Sequence, residues 1–271
     1  MFCSIVPTPL ILTGRIAFAA ALAFWGFQHL QHGSFVTRAM PPWPETLPFR
    51  TSGAYVIGTL FILCAIAICI RRQARRAALF VATVVFLGFA FLAVPATFQD
   101  VLLGGTWTLA GKALVIVTGA LAIAATFPIE PESPTDRLFI LLARLAFGAF
   151  LIQSGIQHFV WDDFVHTLVP SWIPGGPFWT YLTGIALITF GLGLFLARTA
   201  RLAAFASGAM IFTWVIIVHI PRALLTVRDT NEATALFEAI AFSGLGLLLA
   251  AKTAPQSISP QSTASLPQPV S

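Results

Sequence analysis

The chain has 271 residues, of which 58% are apolar, 13% aromatic and only 9% charged. A soluble domain carries roughly 25% charged residues, so this composition excludes an ordinary water-soluble enzyme and points to a protein whose solvent is the bilayer. The net charge of +5 does not indicate nucleic acid, because most arginines stand in short clusters between oily runs, where they report orientation in a membrane.

Eight apolar runs follow one another along the chain, at about 9–30, 53–70, 77–99, 107–127, 138–160, 178–197, 202–220 and 233–251. Each is close to the ~20 residues that cross about 30 Å of hydrocarbon as a helix. They are rich in Leu, Ala, Phe and Ile and show no sustained polar alternation, which excludes barrel strands. The expected fold class is all-α, a polytopic membrane protein with eight transmembrane helices.

The first run imitates a signal peptide, with small residues from Ala17 to Ala23. No Lys or Arg precedes Arg15, and the run has a counterpart later in the chain, so a spanning helix is expected instead. Arg71, Arg72, Arg75 and Arg76 separate runs two and three and place that loop in the cytoplasm. Counting crossings then puts Arg137, Arg144, Arg198, Arg201 and Lys252 inside and Arg38, Arg50, Arg222 and Arg228 outside. Both termini are expected in the cytoplasm, with the chain in the cell's inner (plasma) membrane. Between runs four and five lies "FPIEPESPTD", a short cytoplasmic linker, and after Lys252 the chain turns Ser/Pro/Gln-rich and is expected to be disordered.

An internal repeat organises the whole. A slide of 129 residues lays Arg15 on Arg144, Gly26 on Gly155, Gln28 on Gln157, His29 on His158, Pro41 on Pro170 and Trp43 on Trp172. A slide of 126 then lays Tyr55 on Tyr181, Gly58 on Gly184 and Pro95 on Pro221, and sets Lys112 opposite Glu238. The expected domains are a first four-helix unit over 9–127, a linker over 128–137, a second unit over 138–251 and a tail over 252–271. An even number of crossings per unit makes the repeats parallel, related about an axis along the membrane normal.

On the fifth run Arg144, Gly148, Leu151, Gly155 and His158 fall on one helical stripe; Arg15, Ala19, Leu22, Gly26 and His29 repeat it on the first. Small residues on such a stripe let helices approach closely, which favours a packing face with hydrogen-bonded histidines over a ligand or proton-handling role. Lys112 and Glu238 each stand about five residues, or roughly 7 Å, inside the outer boundary, where a charge needs a partner or a wet cavity. Within the second unit the outer-side candidates to partner Glu238 are Arg222, His219 and His158, which with Gln157 make a polar cluster. That cluster is either a structural ion-pair network or a binding or proton-relay site. The first unit has Ala93 and Ala96 opposite His219 and Arg222, so any site is asymmetric.

The stretch "GIQHFVWDDFVHTLVPSWIPG" leaves the fifth run through His158, passes Asp162, Asp163 and His166, and stiffens at Pro170, Pro174 and Pro177. Trp161, Trp172 and Trp179 suit an interfacial aromatic belt. The stretch is expected to be a semi-rigid outer cap, or a lid, with no fixed metal-ligand spacing. Cys64 and Cys69 are five apart and do not share a helix face, and Cys3 stands alone, so thiol redox chemistry is not expected. No phosphate loop, dinucleotide fingerprint, nucleophile elbow or Gly-x-x-x-Gly motif occurs.

Gly155 with His158, "LVPSWIP" at 168–174, "PFWTYLTG" at 177–184 and "HIP" at 219–221 form an ordered set that resembles the DoxX/DoxD-like family of four-helix membrane proteins, here as a tandem duplication. The resemblance is good over 138–251 and weaker over 9–127, where the loop reads "MPPWPETLPF". It implies a membrane subunit or accessory of a redox system. Family members include a thiosulfate:quinone oxidoreductase subunit, components linked to oxidative stress, and a relative that serves in maturation of methylamine dehydrogenase.

Two functions are therefore expected in order. The first is an accessory or structural subunit of a membrane redox or stress-response system, with redox-complex subunits and the lipid bilayer as partners, no nucleic acid and no cofactor. The alternative is an enzyme or transporter with an outer-leaflet pocket for a quinone or other small apolar molecule, lined by His158, Gln157, His219, Arg222, Glu238 and Trp172. His29, Gln28, Lys112 and Trp43 hold the corresponding places in the first unit.

Overall fold

The computed structural model describes residues 9–36, 43, 48–130, 133–226 and 230–253. Among them are eight helices long and apolar enough to cross a membrane: α1 (Pro9–His32), α2 (Arg50–Ile70), α3 (Ala74–Thr97), α4 (Gly105–Ala125), α5 (Pro134–Val160), α6 (Gly176–Phe195), α7 (Ala200–Leu225) and α8 (Thr230–Lys252). The described residues contain no strand. The chain is a multi-pass helical membrane protein. Residues 254–271, Cys3, Arg38, Pro41 and Arg228, which carried expectations above, lie outside the described residues.

The helix ends follow local chemistry more closely than hydropathy. α5 starts at Pro134, behind Ser133 and with Asp136 in its first turn, four residues before the oily run. Proline is pre-organised for that position, and a carboxylate there meets the positive end of the helix dipole. α7 continues through Pro221 to Leu225, where the apolar run predicted a stop. Proline inside a helix removes one hydrogen bond and clashes with the preceding turn. Here the turn before it is widened into a π-helical segment, Val215–His219, in which the Ile220 amide donates to the Val215 carbonyl. α3 solves the same problem in the same way, with a π segment over Phe89–Ala93 ahead of Pro95 and the Val94 amide on the Phe89 carbonyl.

Each helix packs on its neighbours in chain order, and α8 closes the circuit on α1. α4 and α8 are the innermost, with 67% and 72% of their apolar windows buried against 28–50% for the other six. α1 packs against α2 and α8, and α5 against α6 and α4. The fourth helix of each half therefore lies chiefly on the first helix of the other half.

Close helix crossings use glycine pairs on different helices. A Cβ built on Gly58 of α2 would stand 2.7 Å from the Gly26 carbonyl oxygen of α1, and one built on Gly155 of α5 would stand 2.7 Å from the Gly184 carbonyl oxygen of α6. Without a hydrophobic drive between helices in lipid, such backbone contact supplies packing that larger residues would prevent.

Candidate functional site

Two of the polar side chains expected to form a cluster inside the second unit, Glu238 and Gln157, make contacts between the halves. Lys112 of α4 donates from Nζ to Glu238 Oε2 of α8 at 2.6 Å, with side chains only 14% and 4% exposed. The candidates to partner Glu238 were Arg222, His219 and His158 of its own half, and Lys112 comes from the other half. The reason is the closed circuit, in which α4 and α8, the two most buried helices, come within side-chain reach of each other, as Gly119 of α4 facing Leu245 of α8 also shows. At that depth either charge alone would be costly, and each removes the cost of the other.

One turn before each member of the pair stands a threonine, Thr108 and Thr234, and each meets a glutamine from the other half. Gln28 of α1 accepts from the Thr234 hydroxyl at 3.0 Å and donates to the Thr230 carbonyl at 3.1 Å. Gln157 of α5 donates to Thr108 Oγ1 at 2.7 Å and to the Leu103 carbonyl at 2.7 Å. The Leu103 carbonyl also accepts from the Trp161 indole at 2.9 Å. Leu103 has φ +62°, an uncommon conformation for a residue with a Cβ, and two donors, one in α5 and one just after it, hold the turn that contains it. Both glutamines donate to a carbonyl at or just before the start of a buried helix.

The opposite, basic end has its own fastening. The carbonyls that end α4 have no basic residue in their own last turn, and three cations arrive from other helices. Arg15 of α1 donates to Thr126 Oγ1 at 2.8 Å and to the Thr126 carbonyl, with its guanidinium 3.8 Å from the Phe127 ring centroid. Arg75 of α3 donates to the Ala124 carbonyl at 3.0 Å and to Asp136 of α5 at 2.6 Å. Lys252 of α8 reaches the Ala125 carbonyl at 3.4 Å. Cations at a helix C-terminus satisfy orphan carbonyls and oppose the dipole. Thr126 and Asp136 were missed as site residues, as were Thr108, Thr234 and Glu232.

The histidines serve the crossings. His29, 1% exposed, donates from Nδ1 to the Trp25 carbonyl at 2.6 Å and lies edge-on to Phe35 and Phe61. His158, half-buried, makes the same bond to the Ser154 carbonyl at 2.7 Å. A Cβ on Gly58 or Gly184 would come within 2.8 or 2.9 Å of the Cβ of His29 or His158, so each histidine stands beside its glycine crossing.

The remaining candidates are dispersed. Arg222 makes a two-pronged ion pair with Glu232, at 2.9 and 2.7 Å. His219 sits half-buried in the π segment of α7. Trp172 is 67% exposed, and Trp43 stacks on Phe35 with centroids 4.8 Å apart. In the stretch after α5 a five-residue helix, Asp162–His166, is tied to α6 by the Tyr181 hydroxyl, which donates to Asp162 at 2.6 Å. That bond holds the Asp162 carboxyl below the usual carboxylate range. Among the described residues no three metal-ligating side chains are gathered, and Cys64 is buried while Cys69 is exposed.

A family model described as a domain of unknown function (DUF8561) matches residues 147–251, from the middle of α5 to the last turn of α8. No curated protein matches the chain. No solved structure matches it either.

Proposed function

We propose that the chain is an accessory or structural subunit, of DoxX-like type, in a membrane redox or stress-response system. In this reading it is a tandem pair of four-helix units locked into one rigid body, with its basic end and both termini in the cytoplasm. The buried Lys112–Glu238 pair carries the proposal. The two residues stand 126 apart, the same interval that separates Thr108 from Thr234, Pro95 from Pro221 and one π segment from the other. Residues at equivalent places therefore meet each other at the centre, as they would across the axis of a dimer, and one has become acidic while the other is basic. The family match to 147–251 agrees with a second half that is a unit in its own right.

Polar groups committed to joining helices are unavailable for chemistry, and that favours a scaffold over an enzyme. The test is purification of the tagged full chain from its native membrane. A partner that co-purifies in fixed ratio, carries a redox cofactor and raises the melting temperature is the expected result. A chain that purifies alone, equally stable with and without its native membrane partners, would end this reading.

A quinone- or small apolar molecule-binding role is the second reading, and one observation favours it. His29 Nε2 and Trp25 Nε1 are buried without hydrogen-bond partners. With Nδ1 donating to Trp25, the neutral His29 ring offers an acceptor at Nε2 while the indole offers a donor, a combination suited to a hydroxyl or quinol oxygen. A saturable rise in melting temperature with a quinol, abolished in His29→Leu, would replace the scaffold reading.

A further inference from the structure

At the basic end a groove of about 580 Å³ opens between the start of α1, the start of α7 and the end of α8. Its walls include Leu10, Leu202, Phe205 and Ala250, and its rim carries Arg198 and Arg201. Both arginines are exposed, and neither has a hydrogen bond or ion pair with any described residue. α7 begins beside them at Ala200, and the residue before it, Thr199, makes no side-chain cap to the helix's first amides.

The other half shows what such a place requires. The slide of 126 puts Arg201 on Arg75, and Arg75 holds an anion, the carboxylate of Asp136 in the first turn of α5. The slide of 129 that puts α5 on α1 takes Asp136 to Pro7. Neither the first turn of α1 nor residues 1–8 contain an acid. Residues 254–271, which follow the Thr253 wall of the groove, contain no Asp or Glu. The second-half arginine thus faces an apolar groove without the carboxylate its counterpart has.

We propose that this groove binds an anionic phospholipid of the adjoining leaflet, its phosphate between Arg198 and Arg201 and one acyl chain along Leu10, Leu202 and Phe205. The lipid phosphate takes the place that Asp136 fills in the first half. Guanidinium is suited to phosphate because it offers paired donors in a plane. The Ala200 amide is taken by the Leu196 carbonyl, and the Arg201 and Leu202 amides that follow it in the first turn of α7 add to the anionic preference; basic pockets between helices near the membrane surface are recognised places for acidic headgroups. A zwitterionic headgroup brings its own cation to the site and does not satisfy two free arginines.

The experiment uses the full chain in a neutral detergent, titrated with phosphatidylglycerol, with phosphatidylcholine and with glycerol phosphate. Bound lipid is counted by native mass spectrometry and melting temperature is followed in parallel. Phosphatidylglycerol is expected to bind saturably at one site and to raise the melting temperature, with at least a tenfold loss of affinity in Arg198→Gln/Arg201→Gln. The control Arg71→Gln/Arg76→Gln removes the same charge elsewhere at the same end and is expected to leave binding unchanged. Ala251→Phe, which fills the groove and keeps both arginines, is expected to lose the bound lipid as well. Equal binding of phosphatidylcholine, undiminished binding in the arginine or Ala251 variant, or an equal loss in the control pair overturns the proposal. Equal affinity for glycerol phosphate, which has no acyl chains, would also overturn it and leave a free-phosphate site.

Discussion

α4 and α8 hold corresponding places in the two halves, yet they are finished differently at every level where a charge is involved. Near one end Lys112 answers Glu238. At the basic end the α4 carbonyls receive Arg15, Arg75 and Lys252, whereas the neighbourhood of the α8 end keeps Arg198 and Arg201 exposed along a groove. The uncharged contacts, by contrast, match closely. Gln28 meets Thr234 and Gln157 meets Thr108, with the threonine hydroxyl donating in the first and accepting in the second, and Gly26 with Gly58 and Gly155 with Gly184 are the same crossing. Apolar packing and neutral hydrogen bonds can recur in both halves, because they satisfy themselves in each. Two identical charges cannot meet at an axis, so a charge there must be complemented, and that is where the halves part.

The comparison is broken most severely at the centre. Lys112→Ala leaves Glu238 buried without its ammonium partner and is expected to destabilise the protein by about 4 kcal/mol, seen as a large fall in melting temperature in detergent. Gly184→Leu pushes a side chain against the Gly155 backbone and is expected to cost about 3 kcal/mol, with Gly58→Leu costing a similar amount in the first half. A difference of more than a factor of two between them would show that the two crossings are not equivalent.

Milder changes sharpen it. Gln157→Leu and Gln28→Leu each remove a buried or half-buried lock and are each expected to cost about 1 kcal/mol. Gln157→Leu should be the larger, because the Leu103 turn loses one of its two donors, and hydrogen exchange at residues 101–106 should rise only in that variant. The smallest effect is electrostatic and centres on Asp162, outside the eight spanning helices. Asp162 is held below its ordinary pKa by Tyr181, so its contribution is present at neutral pH, persists down to about pH 3.9 and is lost as pH falls through the lowered folded value. Tyr181→Phe is expected to remove that acid-side dependence, read as a flatter melting temperature between pH 5 and the acid limit.

The eight spans were legible because hydropathy over about 20 residues is a local property that the bilayer enforces. Their ends were less so. Pro221 predicted a stop, but a widened turn absorbed the missing amide, and Asp136 was excluded as polar although a proline start and the helix dipole made it helical. Among the site residues, Lys112 and Glu238 were singled out as charges deep enough to need a partner or a wet cavity, and they meet each other. Candidates to partner Glu238 were sought only within its own half, whereas closure of α8 on α1 sets fourth helices against the opposite half. Lys112 and Glu238 are separated by 126 residues, and nothing local to either names the other. A clue lies in the interval itself, since Thr108 and Thr234 are also 126 residues apart, one turn earlier.

The measurement that tests the account most directly is a charge exchange at the centre. Lys112→Glu and Glu238→Lys are made singly and together, and the folded fraction and melting temperature of all four proteins are compared in one detergent. Each single change places like charges together and is expected to abolish or severely weaken folding. The double change restores the opposite pair across α4 and α8 and is expected to recover most of the melting temperature. Additive losses, with the double variant worse than either single one, would contradict the claim that this pair joins the two halves.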